Sequence, residues 1–459
     1  MIMNNNKNLI LALLTAIIPV VAMPYDFKEG GLCFNFNDDG KSVTLTYERL
    51  IMFAHDAPPP SEKGLIGDVV IPSKVQHDGK TYKVTAIDRE TFMANSELKS
   101  VIIPNSVKTI GRGAFAQCFS LKNVVLPTDL TEISDYMFSE SNLTEITIPA
   151  KVKRIGEHAF NSSSLKSIAI PNSVTEIGKS AFSACRWMES ATLGNSVKTI
   201  GEAAFSICPS LRSINLPASL CEIGEHAFYE GGMEAITIPA ATTKIGSGAF
   251  IHCNNLATLQ VEKGNKVYDS RNNCNAVIET ATGSLVAGCN ISVIPEGVTK
   301  IGSEAFYGHK GIYSLNLPST VTEIGDKAFF YCDNLKEVNL PNSVTAIGER
   351  AFCGCDSLET VVIPNSVKRI GYSAFLHNKK LKSVTLGSAV TQIDAWAFKG
   401  LNNLKSFTTK IADAGTVKMG KDVFDEIDKQ ACTLYVPRGS AASYKAAPQW
   451  QDFKNIVEQ

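Results

Sequence analysis

The residues most capable of chemistry in this chain are seven histidines, twelve cysteines and a balanced set of charges, 44 Lys+Arg against 45 Asp+Glu. Histidine and cysteine hold metals and serve as nucleophiles or bases when they converge. His158 and His226 share the context Glu-His-Ala-Phe, which suggests a pair. They lie three copies of a repeat apart, about 14 Å at ~4.8 Å per strand spacing, too far to hold one metal. His55, His77, His252, His309 and His377 are scattered and read as structural or solvated. Gly178-Lys179-Ser180 looks like the end of a phosphate-binding loop, but its glycine only fills a repeating glycine position. No HExxH, GxSxG or complete phosphate loop occurs. The reading is a non-enzymatic chain with no catalytic residue, no metal and no cofactor.

One polar cluster stands apart. Tyr268, Asp269, Arg271, Asn272 and Asn273 group aromatic and charged side chains found together nowhere else in the chain. They are the candidate binding residues. They fall in an insertion, about residues 262–294, whose two extended pieces around Ala281-Thr282-Gly283 predict a hairpin. It either stays in the stack as an unusual coil or protrudes. Insertions of this kind often sit on a binding face, and the competing role is a brace for the surrounding structure.

The elements that must position these residues are set by a repeat. Its marker is an aromatic: Phe92, Phe115, Phe138, Phe160, Phe182, Phe205, Phe228, Phe250, then Phe306, Phe329, Phe352, Phe375 and Phe398. Steps are 22 or 23 residues except the one from Phe250 to Phe306, which is 56 and contains the insertion. A fixed period of this size predicts a right-handed, β-rich solenoid of the leucine-rich-repeat kind, with about 13 coils over residues 66–410. Each coil alone cannot bury its apolar face, so stacking must do it. In Leu98-Lys-Ser-Val101-Ile-Ile103-Pro104 the alternation predicts a long strand with one buried face, ended by a proline that cannot donate to a ladder. Lys108-Thr109-Ile110 predicts a short second strand. Glycine follows in ten of thirteen repeats, replaced by Asp88, Ser134 and Asp394. These types share an N-cap role, which predicts a single helical or 3-10 turn carrying Ala and the marker Phe.

The cysteines also fall into register. Cys118, Cys185, Cys208, Cys253, Cys332 and Cys355 each stand three residues after a marker Phe, exchanging with Ser, Asn, Gly, His and Leu. That predicts an inward-facing structural column of free thiols, each a small apolar group and weak donor; disulfides between adjacent coils are the alternative. Cys33, Cys221, Cys274, Cys289, Cys353 and Cys432 lie outside the column and have no pairing legible from spacing.

The ends differ from the middle. Lys7 followed by the apolar run Leu9 to Val21 and Val20-Val21-Ala22 reads as a signal peptide over residues 1–22. Export to the periplasm, the medium or the cell surface follows, with no transmembrane segment in the mature chain. Residues 23–65 predict a β-hairpin cap, from Leu32-Cys-Phe-Asn-Phe36 and Val43-Thr-Leu-Thr-Tyr47 around Asp38-Asp39-Gly40. Residues 411–459 predict a C-terminal cap. A net charge of −1 supplies no basic field for nucleic acid or an anionic membrane.

The unit Ala351-Phe352…Cys355…Leu358…Ile363-Pro364-Asn365-Ser366-Val367…Ile370-Gly371 resembles the BspA-type leucine-rich repeat of bacterial exported and surface proteins. The resemblance spans about residues 66–410, and the YDSRNNCNAVIE and LYVPRGSAASYK segments also look like that family's accessories. It implies adhesion, or binding to host, matrix or bacterial surface proteins, and no catalytic residues. The second reading is a glycan-binding accessory protein of a surface polysaccharide system. Tyr268, Tyr313, Tyr331, Tyr372, Trp187 and Trp396 are its candidate aromatic platforms. The outward residues of the long strands, such as Ser190, Thr192, Ser213 and Asn215, include no aromatic and no Arg, so that face is a weak source of interface hot spots.

Overall fold

The computed structural model describes residues 25–47 and 66–459. The signal-peptide expectation for residues 1–22 lies outside them. The chain winds into a β-solenoid of about 16 turns with little helix. The Phe182 coil and its neighbours illustrate how one turn is made. Its long strand, Ser190–Thr192, pairs in parallel with Ser167–Ala169 before it and Ser213–Ile214 after it. Ala191 and the following Leu193 point inward, while Thr192 faces solvent, as the period of two requires. The short strand Thr199–Ile200 pairs in parallel with Glu176–Ile177 and Glu222–Ile223, stacking Ile177, Ile200 and Ile223 in the core.

The third side is not the helical turn expected from the glycine column. It is a run of overlapping turns, with Ala181 N donating to Gly178 O, Ser183 N to Ser180 O and Cys185 N to Phe182 O. Ser180 (φ +50°) and Ala184 (φ +57°) flank the Phe in the left-handed region. Two such residues recur around each marker Phe, among them Tyr136 and Glu140, His158 and Ser162, Ala203 and Ile207. A non-glycine residue there costs ~1–2 kcal/mol. The cost is offset because the reversal aims alternate amides at the next coil: Ser180 N reaches Glu202 O at 2.8 Å, Phe182 N reaches Ala204 O at 2.8 Å and Ala184 N reaches Ser206 O at 2.7 Å.

The glycine column has a different cause from the capping first expected. A Cβ on Gly201 would lie 2.7 Å from Gly178 C and 2.8 Å from Lys179 N of the preceding coil. Successive coils touch backbone to backbone at this corner, and only hydrogen fits between them.

Inside, the marker rings stack in parallel from Phe92 to Phe250 and again from Phe306 to Phe398, as with Phe182 on Phe205 (5.1 Å, 10°). All twelve cysteines are free, and all but Cys221 are buried. The six column thiols share one partner type, the carbonyl of the marker Phe one coil earlier. Cys118 donates to Phe92 O at 3.0 Å, Cys208 to Phe182 O at 3.3 Å and Cys355 to Phe329 O at 3.1 Å. Asn378 makes the same bond to Phe352 O at 3.0 Å. Burial holds these thiols protonated, pushing Cys118 and Cys253 up to about 12.

The insertion stays within the stack. Tyr268–Asp269 pairs antiparallel with Ala276–Glu279, which pairs antiparallel with Ser284–Gly288, which joins Lys300–Ile301 of the next coil in parallel. It therefore adds a strand to the expected hairpin and works as a two-faced plug. Val277 and Ala287 join the hydrophobic core on the N-terminal side, while Ala276, Ile278 and Leu285 join the core on the other. Phe306 packs against Gly288, where a Cβ would sit 1.9 Å from its Cε1.

Stacking extends past the expected limit of residue 410. Lys418–Met419 pairs with Gln392–Ile393, Phe424 stacks on Phe398, and Thr433–Val436 and Asn455–Glu458 continue the long-strand ladder. These turns and the plug account for the excess over 13 coils. The helix Ala441–Ala446 and Trp450 lie between these last two strands, with Trp450 fully buried against Phe407, Phe424 and Tyr444. At the other end Phe27–Glu29, Leu32–Phe36 and Ser42–Thr46 form an antiparallel sheet that joins Lys80–Ile87 through a parallel pair.

Candidate functional site

The structure separates the five residues singled out in the insertion. Tyr268 is buried, 6% exposed, and its hydroxyl accepts from Ile245 N at 3.2 Å. It closes the broken short-strand ladder and cannot serve as a platform for a ligand. Asp269 and Arg271 satisfy one another through Nε–Oδ1 at 2.8 Å and Nη2–Oδ2 at 2.6 Å. That contact and burial act in opposite senses on Asp269, with the arginine winning and holding its carboxyl below the usual range. Asn272 (φ +57°) and Asn273 (φ +54°) are exposed and occupy left-handed positions of a tight turn, a conformation Asn tolerates well. Of the other aromatic candidates, Trp187, Tyr313 and Tyr331 are exposed, whereas Tyr372 and Trp396 are half-buried against each other with ring centroids 5.4 Å apart.

The aromatic and cationic side chains gather on the turn side. Three groups follow it along the solenoid. Arg112 lies over Tyr136 (4.4 Å), which stacks on His158 (4.6 Å, 23°). A continuous chain of rings then runs His226, Tyr229, His252, Tyr307, Phe330 and Tyr331, with neighbouring centroids 4.2 to 6.1 Å apart. Finally Arg350 lies over Tyr372 and Lys399 over Trp396. These residues occupy the two left-handed positions around the marker Phe, the residue after it and the one ahead of the first. The left-handed backbone turns them outward while the marker Phe turns in. Burial lowers the pKa of both His158 and His252, so their rings are neutral near pH 7. Reading the long-strand columns missed this face; reading the columns on either side of each marker Phe finds it.

The long-strand face is as sparse as its sequence. Its exposed apolar residues include Val70, Ile102 and Val125, aligned in neighbouring coils, with Val362 and Val457 further along. Beside it runs a mildly basic column, Lys99, Lys122, Lys166, Arg212, Lys336, Lys382 and Lys405, partly neutralised, as by Lys382–Glu359 at 2.8 Å. Among the described residues no three His, Cys, Asp or Glu side chains converge on a metal position, and no helix is long and apolar enough to cross a membrane.

The family model for the BspA type leucine rich repeat region matches residues 85–208, 176–284 and 287–426 in six copies. The chain belongs to the BspA-type leucine-rich-repeat family. Among solved structures, this BspA-type chain is similar to a leucine rich cell surface protein from Faecalibacterium prausnitzii A2-165. The two share 27% identity over 86% of this chain and 96% of that one, with a TM-score of 0.62. A leucine-rich repeat protein from Bacteroides ovatus ATCC 8483 is 26% identical over 84% and 94% of the two chains, TM-score 0.54. The pneumococcal vaccine antigen PcpA shares the fold at 19% identity over 94% and 98%, TM-score 0.50. Among curated proteins none matches. BspA-type membership, with cell-surface relatives of this kind, suggests a protein-interaction role and an extracellular or surface setting.

Proposed function

We propose that this BspA-type protein is an exported, non-enzymatic adhesion protein that presents the turn side of its solenoid to a protein partner. One observation carries this reading. Tyr, Trp and Arg, the types that dominate interface energetics, are concentrated on the turn side, whereas the long-strand face carries the outward Tyr435, with Tyr313 and Arg212 at its edge. Their guanidinium, ammonium and ring groups are already ordered against one another, so little side-chain entropy remains to be lost on binding. In this reading the signal peptide directs export, and the two terminal segments cap the stack against end-to-end association.

The test is biolayer interferometry of the mature chain, residues 23–459, against immobilised extracellular-matrix proteins. Saturable binding to one of them is expected. Replacing Tyr372 and Trp396 together by Ala weakens it about tenfold or more, while Ser190→Ala with Thr192→Ala on the long-strand face leaves it unchanged. Absence of saturable binding across the panel, or equal effects from the two faces, rules the proposal out.

A further inference from the structure

A cleft of about 390 Å³ opens on the turn side where the Phe250 coil meets the coil beyond the insertion, lined by Glu230, His252, Asn254, Asn255 and Lys310 beside Gly231-Gly232. Its size falls within the ~300–1,000 Å³ of small-molecule sites. The coils on either side of the 56-residue step stay bonded beside it, with His252 N reaching Tyr307 O at 3.1 Å, while Gly288 N of the insertion takes the carbonyl of Ala305. Asn290, from the insertion, then braces both lips. Its Nδ2 donates to Asn254 O at 2.7 Å and its Oδ1 accepts from Gly311 N at 3.1 Å.

The chemistry of the cleft is specific. Apart from Pro209 it has no aliphatic lining, whereas a peptide anchor needs an apolar pocket. Its polar groups both donate and accept: two amides, a carboxylate, an imidazole and an ammonium. They are partly ordered, with Asn255 Nδ2 donating to Gly232 O at 3.3 Å, Asn254 Oδ1 accepting from Lys310 N at 3.3 Å and Lys310 paired with Asp333 at 3.2 Å. Aromatic rings flank it. His252 is edge-on to Tyr229 (5.7 Å) and to Tyr307 (5.0 Å), and Phe330 and the exposed Tyr331 continue the row. A sugar ring offers the matching surface, an apolar C–H face for the His252 imidazole and hydroxyls that both donate and accept for the amides and carboxylate.

We infer that this inter-coil cleft binds a saccharide unit, with Glu230, Asn254 and Asn255 taking its hydroxyls and the His252 ring, held edge-on by Tyr229 and Tyr307, taking its C–H face. The site stands independently of the protein-binding role proposed for the whole turn side.

Saturation-transfer-difference NMR of the mature chain tests it, with maltohexaose, cellohexaose, mannohexaose, xylohexaose and chitohexaose as probes. At least one is expected to give a saturable response that falls tenfold or more in Asn254→Ala and in His252→Ala. Glu230→Gln alters an exposed side chain and keeps the test readable if His252→Ala melts early; it too is expected to weaken binding tenfold. Thr192→Ala, on the long-strand face, leaves the response unchanged. A blank panel overturns the inference, as does a response unmoved by Asn254→Ala and Glu230→Gln, or displacement of nothing but peptides from the cleft. Any of these results leaves the matrix-protein reading standing, because that is read by Tyr372 and Trp396.

Discussion

The strongest consequence of the ladder interior concerns two residues three positions apart, Phe205 and Cys208. Both are fully buried. Phe205 stacks between Phe182 at 5.1 Å and Phe228 at 5.9 Å, each within 10° of parallel. Truncation to Ala removes a ring that three successive coils share. A buried Phe→Ala change costs ~3–5 kcal/mol, a figure that includes two aromatic contacts of ~0.5–1.5 kcal/mol each. Cys208 makes only weak contacts, to Phe182 O at 3.3 Å and Ser206 O at 3.7 Å. Serine retains a donor in the same place, and Ser163 already occupies the column two coils earlier, bonded to Cys185 at 3.3 Å. Its shorter C–O bond stretches the contact, so Cys208→Ser costs about 1 kcal/mol, the scale of one hydrogen bond. Urea unfolding followed by circular dichroism gives the total change. Hydrogen exchange over residues 178–230 locates it, because neighbouring turns of a solenoid open as local units. A Cys208→Ser variant as damaged as Phe205→Ala would show that the sulfur does more than pack and donate, and the free-thiol ladder would be wrong.

Four other outcomes follow from the same geometry. Gly201→Ala drives a methyl to within 2.7 Å of the Gly178 backbone, and overpacking of ~1–3 kcal/mol is expected in urea unfolding; a neutral result would remove the close-approach account of the glycine column. His309 is buried with its Nδ1 unpartnered, and burial depresses its pKa to about 4. The unfolded chain, with an ordinary value near ~6.5, then binds the proton first as pH falls. Stability should drop by about 2 kcal/mol between pH 7 and pH 5, and His309→Cys, the commonest residue of the column, should flatten that slope; equal slopes in the two proteins would refute it. Native-state alkylation with iodoacetamide at pH 7.5 should yield one adduct, at Cys221, the sole exposed thiol, and intact-mass spectra with several adducts would contradict the ladder. Tyr444→Phe removes bonds to Thr409 Oγ1 (3.1 Å) and Ile411 O (2.8 Å), so a loss of ~1–3 kcal/mol confined to exchange over residues 405–459 is expected; protection unchanged there would deny that segment its capping role.

Much of the molecule was written into the spacing of its residues. Residues 22 or 23 apart become neighbours along the solenoid axis, so a column of letters is a column in space, and the alternation in Leu98-Lys-Ser-Val101-Ile-Ile103 already says which side of a strand is buried. Phe92 to Phe398, the long and short strands, and the inward cysteines were legible for that reason. Three features were not, because each depends on what lies in the adjacent coil. The sign of φ at Ser180 or Tyr136 is set by the cross-coil bond it permits, and nothing in serine or tyrosine announces it; the third side was therefore read as a helical turn. The glycine column looked like a set of caps, since only the stacked backbone reveals the missing space. Tyr268 looked like a ligand platform by composition, yet its hydroxyl completes the ladder at Ile245. The sequence by itself determined the repeat, the coil and the core, because those follow from period and polarity. The tertiary structure alone decided which side of the coil gathers the ring and cation contacts and where a cleft opens on it, because both arise from contacts between residues that the repeat brings together across coils.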